Sequence, residues 1–143
     1  MKKGIYFGFL PGEGPEAKLA AAAELGFQCV EVATLRTDAD RQLYARAAKA
    51  AGIAITSVMN SDHWSCPLSD PDPAVRDKSA AGVVQSLETA AALGADTVLI
   101  VPAVVKPTVP YEEAWRISRD TIGALLPKAD RKSTRLNSSH RIR

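Results

Sequence analysis

A histidine and a tryptophan stand side by side in the segment Asn60–Leu68, which reads NSDHWSCPL. The imidazole of His63 has an intrinsic pKa suited to proton transfer near neutral pH. The indole of Trp64 can pack on the face of a sugar ring while the imidazole hydrogen-bonds one of its hydroxyl groups. The pair is therefore predicted to contact a substrate, although the same two side chains could simply anchor a long loop.

A carboxylate interrupts one of the apolar strands of the sequence. Glu31 lies in the run Cys29–Val32, near the end of a predicted strand. A charged group in such a strand is costly unless it is paired or faces a polar cavity. Glu31 could bind substrate hydroxyls or orient a catalytic group, or it could form a salt bridge with a lysine or arginine of a neighbouring strand.

Familiar catalytic and cofactor motifs are missing from the sequence. It has no Ser-His-Asp order and no H-E-x-x-H, and His63 is the only histidine in residues 1–129, so a site with several histidine ligands cannot form there. The glycine-rich run Gly8–Gly14 has a proline and a glutamate where phosphate would need backbone N–H groups and no negative charge, which indicates a turn. We therefore assign no catalytic residue and no metal ligand from the motifs.

Other aromatic and basic residues have simpler interpretations. Three side chains of the last predicted helix are expected to pack against neighbouring elements, namely Tyr111, Trp115 and Ile117. Three arginines are expected to be solvated helix charges, namely Arg36, Arg41 and Arg46.

One unit, an alanine-rich helix followed by a glycine and a β-branched run, occurs three times after an opening strand. This alternation is typical of a parallel α/β sheet. The third and fourth strands are nearly continuous in apolar or β-branched residues, which predicts burial on both faces. The predicted strands are Gly4–Leu10, Gln28–Ala33, Ala54–Met59 and Thr97–Val101. The predicted helices are Pro15–Leu25, Asp38–Ala51 with an aspartate cap, Asp72–Leu93 and Tyr111–Leu126.

The connections between these elements predict where a site would lie. Short helix-to-strand turns lie on one rim of the sheet, and the longer strand-to-helix loops lie on the other, where α/β proteins place their sites. Four strands and four helices fit half of an eight-stranded barrel or a small doubly wound sheet. A complete barrel needs ~250 residues, and residues 1–129 are about half of that.

The composition, with 46% hydrophobic and 24% charged residues, is that of an ordinary globular domain. No apolar run is long enough to suggest a membrane span. Cys29 and Cys66 are far apart and form no C-x-x-C pattern, which favours reduced thiols and a cytoplasmic location. Because residues 1–129 hold 13 basic and 15 acidic side chains, they offer no electrostatic surface for nucleic acid.

The last residues, 130–143, have a different character from the rest. They hold five basic residues and one acidic residue and show no hydrophobic period. The run Asp130–His140 is the translation of a nucleotide string that resembles a common sequencing-library adapter. We therefore predict that residues 130–143 are a non-native, disordered tail and that residues 1–129 form the domain; the alternative is a genuine basic arm that binds nucleic acid.

Two motifs carry a resemblance to a known family. ELGFQCVEV (Glu24–Val32) and HWSCPLSDPDPAVR (His63–Arg76) resemble the sugar phosphate isomerase/epimerase family with a xylose-isomerase-like barrel. The resemblance covers residues 1–129. It implies a partial (β/α)8 TIM barrel of about four β/α units with parallel strands, corresponding to the N-terminal half.

The resemblance also implies a chemistry and a set of site residues. Members move a proton next to the carbonyl of a sugar or sugar phosphate, commonly with a divalent metal held by two Glu, an Asp and a His. Those ligands come from strands five to eight, so no cofactor is expected to bind this fragment, which is expected to be inactive alone. The positions that carry over as substrate-binding residues are Glu31, Asn60, His63 and Trp64.

Two other functions remain open at this stage. A related barrel cleaves abasic DNA, but it would need several histidine ligands, and the fourth strand ends in VPAVV (101–105) without one. A non-catalytic α/β binding module is the other. The open edges of a half-barrel also predict self-association of the chain. A small-molecule sugar is the expected partner, with no nucleic acid and no membrane.

Overall fold

A computed structural model describes residues 2–130 and the backbone of residues 131 and 135–138. The strands are β1 (Gly4–Tyr6), β2 (Cys29–Ala33), β3 (Ala54–Met59), β4 (Thr97–Ile100) and β5 (Arg135–Ser138). The helices are α1 (Gly14–Glu24), α2 (Asp38–Ala51), α3 (Pro73–Leu93) and α4 (Tyr111–Arg131). None of the described helices has a stretch long and apolar enough to cross a bilayer.

The sheet is parallel throughout and its strands follow the order of the chain, β1-β2-β3-β4-β5. Parallel crossovers are right-handed, so a strand order that never reverses places every helix on the same face. Consecutive helices accordingly pack side by side, α1 on α2, α2 on α3 and α3 on α4. A doubly wound sheet would reverse its order and carry helices on both faces. The architecture is therefore the partial TIM barrel that the sequence predicts.

The two faces of the sheet differ in burial. Five helix-facing side chains are at most 1% exposed: Val30, Val32, Val58, Val98 and Ile100. The side chains that alternate with them on the inner face are half-buried: Cys29, Glu31, Ala33, Ser57, Met59 and Leu99. The prediction of strands buried on both faces is therefore wrong for the inner face, because a barrel interior is filled by side chains from eight strands and five are described.

Most helix ends agree with the predicted ones, with two corrections. The last helix, α4, does not end at Leu126 as predicted but continues through Pro127 to Arg131. Asp72 caps α3 through a hydrogen bond from the Ala74 N–H at 2.9 Å, and Gly52 ends α2 in the left-handed conformation at φ 67°. The cap of α2, however, is Thr37, whose hydroxyl accepts from the Asp40 N–H at 3.1 Å. Thr37 takes this role because its backbone is extended, as a cap requires, whereas Asp38 is already helical.

The first strand is shorter than predicted. It stops at Tyr6, and Phe7–Phe9 form a 3-10 turn closed by the Leu10 N–H on the Phe7 carbonyl at 3.2 Å. The turn brings Leu10 into the core at 4% exposure and packs the Phe7 ring at a tilt against Tyr44 of α2, with 5.1 Å between centroids. Tertiary packing of two apolar side chains thus overrides the extended preference of the run.

Strand β5 lies inside the segment that the sequence analysis predicts to be a disordered tail. Its backbone pairs with β4 from Thr97↔Arg135 to Ile100↔Ser138. The unpaired N–H and C=O groups at an open strand edge can pair with whatever segment of the chain follows. Backbone hydrogen bonding is therefore sufficient to explain the pairing of β5 with β4. It does not address the origin of residues 130–143, which stays a prediction, and residues 132–134 and 139–143 lie outside the described part of the chain.

Candidate functional site

The candidate site lies at the carboxyl-terminal ends of β2 and β3. The Asn60 N–H donates to the Leu99 carbonyl at 2.9 Å, which extends the pairing of β3 with β4 by one residue and fixes where the following loop begins. His63 and Trp64 follow in this loop. Carboxyl-terminal strand ends form the rim on which α/β barrels bind their substrates.

Glu31 points from β2 to the inner face and is bound to a hydroxyl group there. Ser57 Oγ donates to Glu31 Oε2 at 2.8 Å. A bulge in β3 makes this contact possible, since the register passes from Val30↔Ile55 to Glu31↔Ser57 and skips Thr56. Among the described residues the partner of this carboxylate is thus a serine, not the lysine or arginine considered from the sequence.

A shallow cavity of about 250 Å³ contains Glu31 and opens on the inner face; Tyr6, Cys29 and Ser57 also line it. Ser57 is three residues before Asn60, so Glu31 lies roughly 10 Å below the loop along the strand direction. The structure therefore places the four predicted site residues at two depths, with Asn60, His63 and Trp64 above and Glu31 below.

Asn60 and His63 are buried and only partly hydrogen-bonded. Asn60 is 1% exposed; its Oδ1 accepts from the Asp62 N–H at 2.7 Å, while Nδ2 has no partner among the described atoms. His63 is 4% exposed, and its Nδ1 also has no partner there. Buried polar atoms are nearly always hydrogen-bonded, so these two nitrogens are the points of the loop at which a polar partner is missing among the described atoms.

Burial lowers the pKa of the His63 imidazole, and the nearby Asp62 carboxylate opposes that shift only in part. His63 is therefore neutral at physiological pH, with one ring nitrogen as donor and the other as acceptor. Its ring meets Trp64 edge to face, with 5.4 Å between centroids. Trp64 itself is 66% exposed and presents its indole to solvent.

An ion pair, absent from the sequence-based site, holds this loop in place. Arg36 donates to Asp62 Oδ1 at 2.8 Å and to Gln85 Oε1 at 2.9 Å, which ties the loop to the end of β2 and to α3. Gly82 of α3 lies against the Asp62 carboxylate, and a β-carbon there would overlap it. A glycine in a helix interior is the one sequence signal that could have revealed this close approach.

A second set of contacts joins the ends of β2 and β3. The Thr34 N–H donates to Ser61 Oγ at 3.2 Å, the Ser61 N–H donates to Thr34 Oγ1 at 3.1 Å, and Thr34 Oγ1 lies 2.8 Å from Ser86 Oγ. Thr34 and Ser86 are both buried. These hydroxyl groups form hydrogen bonds with backbone groups below the rim. No residue spacing in the sequence predicted these contacts.

Two predictions about basic and aromatic side chains need correction. Arg46 is exposed as expected, but Arg36 is paired with Asp62, and Arg41 is 12% exposed with salt bridges to Asp38 and Glu88. Ile117 is buried as expected. Tyr111 and Trp115, in contrast, are each 49% exposed, because the face of α4 on which they lie has no described helix beside it.

The described residues do not form a metal site. They contain no group of three or more His, Cys, Asp or Glu side chains that could hold an ion together. Glu31 has a serine partner, and His63 lies beside an exposed indole, so neither takes part in a convergent donor set. The metal chemistry implied by the resemblance does not fit the residues that this structure describes.

Comparison with known proteins supplies the family. A model of the xylose isomerase-like TIM barrel matches residues 19–137, whereas the curated proteins contain no match. Among solved structures, a D-psicose 3-epimerase from Clostridium cellulolyticum H10, crystallised with D-tagatose, superposes with a TM-score of 0.78 at 21% identity, over 95% of this chain and 51% of that one. A 3-keto-D-glucoside 4-epimerase from E. coli superposes with a TM-score of 0.81 at 20% identity, over 96% and 55%.

The D-allulose 3-epimerase from Methylomonas sp., crystallised with D-allulose, gives a TM-score of 0.77 at 18% identity over 96% of this chain and 50% of that one. The chain thus spans about half the length of these epimerase chains. At such identities the superpositions establish the fold, and the family match covers most of the residues. The chain belongs to the xylose isomerase-like TIM barrel family.

Proposed function

We propose that this chain supplies part of the substrate pocket of a sugar or sugar-phosphate isomerase or epimerase, an enzyme that moves a proton next to a carbonyl. The observation that carries the proposal is the pair of unsatisfied, buried polar atoms, Asn60 Nδ2 and His63 Nδ1, on the substrate-binding rim of a xylose isomerase-like barrel. The structurally similar epimerases crystallised with D-tagatose or D-allulose support a sugar as the ligand.

Each of the four residues can make a contact that suits a polyhydroxylated molecule. The Asn60 amide donates a hydrogen bond, and the neutral His63 imidazole donates or accepts one. The indole of Trp64 covers an apolar ring face. Glu31, held by Ser57, accepts hydrogen bonds from hydroxyl groups deeper on the inner face. These four residues bind and orient a sugar, and we assign the proton transfer to none of them.

We further propose that this chain alone does not interconvert sugars. Proton transfer next to a carbonyl needs a positioned acid or base and stabilisation of the developing oxyanion. Among the described residues, Glu31 is the one carboxylate that lines its cavity, and no group of three or more side chains could hold a divalent cation. We propose a divalent metal only for a complete barrel, where it would polarise the carbonyl of the sugar.

The setting that we propose is the cytoplasm. Cys29 is half-buried and Cys66 is buried, and the two form no disulfide. Unpaired thiols are typical of a reducing compartment.

The test is a titration of the full chain with D-tagatose and with D-fructose, in which tryptophan fluorescence reports binding. The sequence has two tryptophans, both substantially exposed, which provides a matched control. We expect the sugar to change the emission of the Trp115→Phe variant, which retains Trp64, and to leave the emission of Trp64→Phe unchanged. His63→Ala should weaken binding by about tenfold or more, as expected for the loss of a buried hydrogen bond.

Two results would contradict the proposal. One is the absence of any response in Trp115→Phe up to the highest soluble sugar concentration. The other is a response that survives in Trp64→Phe and disappears in Trp115→Phe, which would place the sugar at α4 and not at the rim. Sugar phosphates titrated in parallel show whether a phosphate adds affinity.

A further inference from the structure

The Asn60 amide at the end of β3 has one fixed orientation. Its Oδ1 accepts a hydrogen bond from the Asp62 N–H at 2.7 Å. A backbone N–H can only donate, so the atom that faces it is the carbonyl oxygen, and the NH2 group of Asn60 points elsewhere. Nδ2 has no partner among the described atoms. The group that Asn60 leaves free is therefore a donor, which suits an acceptor oxygen of a ligand.

The backbone of Asp62 is the centre of the hydrogen bonds within this loop. While its N–H donates to Asn60, its carbonyl accepts from the Cys66 N–H at 2.8 Å and from the Ser65 hydroxyl at 3.3 Å. Both polar groups of the Asp62 backbone are thus bound inside the loop. A displacement of Asp62 would disturb the turn and the Asn60 amide together.

The side chain of Asp62, in contrast, is bound outside the loop. Its carboxylate is 16% exposed and accepts from Arg36 Nη2 at 2.8 Å, and the backbone of α3 at Gly82 lies against it. Arg36 also donates through Nη1 to Gln85 Oε1 of α3 at 2.9 Å. The carboxylate is therefore confined between the guanidinium group and α3.

We propose that Arg36 is a positioning residue of the sugar pocket, which acts through Asp62 to keep the Asn60 amide nitrogen directed toward the ligand. The proposal rests on the proposed function for its ligand, whereas the contacts from Arg36 to Asn60 need no sugar. Arg36 does not touch the ligand. It lowers the cost of binding because the amide and the loop are already ordered when the sugar arrives.

The geometry requires a guanidinium group and not just a positive charge. Arg36 bridges two acceptors on different elements, Asp62 in the loop and Gln85 on α3. A lysine ammonium is a point charge on a flexible stem and cannot reproduce the planar fork. The Arg36 side chain is 54% exposed, and exposed ion pairs contribute little to overall stability. Its removal should therefore affect the loop more than the fold.

Amide hydrogen exchange of the full chain, followed by NMR, tests the positioning without a ligand. We expect the Asp62 N–H to be protected in the wild-type chain and to exchange about tenfold faster in Arg36→Gln, while the β3 amides are unchanged. Arg36→Lys should restore part of the protection. The matched control is Arg119→Gln, because Arg119 is 57% exposed and forms a 2.7 Å ion pair with Asp120 on α4. This control should exchange like the wild-type chain.

Sugar affinity tests the consequence for the pocket. In the Trp115→Phe background, D-tagatose titrations read by Trp64 emission should show binding weakened about fivefold by Arg36→Gln and unchanged by Arg119→Gln. In Asn60→Ala, where no amide remains to be oriented, Arg36→Gln should have no further effect, because both changes act through the same contact.

Four results would overturn the proposal: an Asp62 N–H equally protected in wild type and Arg36→Gln, a loss of protection that Arg119→Gln reproduces, a sugar affinity insensitive to Arg36→Gln, or an equal effect of Arg36→Gln with and without the Asn60 amide. A wild-type chain that binds no sugar would overturn the proposed function. The exchange measurement would then still decide whether Arg36 positions the Asn60 amide.

Discussion

At the scale of single residues, the chemistry of the candidate site comes from buried polar atoms with few partners. Asn60 and His63 are almost fully enclosed, yet each retains an unsatisfied nitrogen among the described atoms. Desolvation of such groups costs free energy, which is recovered when a ligand or water supplies the missing hydrogen bond. The sequence could indicate the residue types at these positions, but their burial depends on how the loop folds over α3.

The lowered pKa of His63 predicts a pH dependence of stability. The folded state keeps this imidazole neutral, whereas the unfolded chain protonates it near its ordinary pKa, so the unfolded state binds more protons below about pH 6.5. The free energy of unfolding should therefore fall as the pH drops from 7 toward 5. Urea denaturation at several pH values should show a smaller fall in His63→Gln than in the wild-type chain.

His140 provides the control, because it is the only other histidine. Comparing His140→Gln with His63→Gln shows how much of the pH dependence comes from each of the two histidines. An identical slope in wild type and His63→Gln would show that His63 has the same pKa in the folded and unfolded states.

The contact of Gly82 with Asp62 gives a prediction with an internal control. Gly82→Ala introduces a methyl group that overlaps the Asp62 carboxylate, and the strain should lower the free energy of unfolding by about 1–3 kcal/mol. A methyl group at Gly123 of α4 would meet no described atom within 4 Å beyond its own stretch of helix, so Gly123→Ala should instead stabilise the helix by about 0.5–1 kcal/mol. Urea midpoints measure both. If both substitutions raised the free energy of unfolding equally, the Asp62 carboxylate would not lie against Gly82.

At the scale of elements, local signals were sufficient for most helices and strands and insufficient where tertiary packing decides. The bounds of α2 and β3 were predicted from helical periodicity, a terminal glycine and a β-branched run, and they agree with the structure, although the cap of α2 is Thr37 and not Asp38. The run after Tyr6 has the same extended preference, yet it turns because Leu10 and Phe7 find better burial against α1 and α2. The bulge that places Ser57 opposite Glu31 has no signature in the sequence.

The cap of α2 provides a test at this scale. Thr37 accepts the Asp40 N–H and donates its hydroxyl to Asp40 Oδ2 at 2.6 Å, so Thr37→Ala should destabilise the chain by about 1 kcal/mol. Asp38→Ala removes an 86% exposed carboxylate in an ion pair with Arg41 and should cost less, about 0.5 kcal/mol. Thermal or urea unfolding compares the two. If Asp38→Ala lowered the free energy of unfolding more than Thr37→Ala did, Asp38 would contribute more than Thr37 to the start of α2.

At the scale of the whole molecule, the order of the strands decides the architecture. A count of helix and strand units predicted four β/α units, but it could not choose between half a barrel and a doubly wound sheet. The strand order and the packing of each helix on the next resolve that choice in favour of the barrel. The half-buried inner face follows from the same arrangement, and it could not be predicted from hydrophobic periodicity, which indicated burial on both faces.

The most direct measurement is a crystal structure of the full chain grown with D-tagatose. We expect a parallel sheet in the order β1-β2-β3-β4 with helices on one face, and a sugar within hydrogen-bonding distance of Asn60 and His63 with Trp64 against its ring. Helices on both faces of the sheet would contradict the fold. A sugar bound away from this rim, in a crystal saturated with the ligand, would contradict the site.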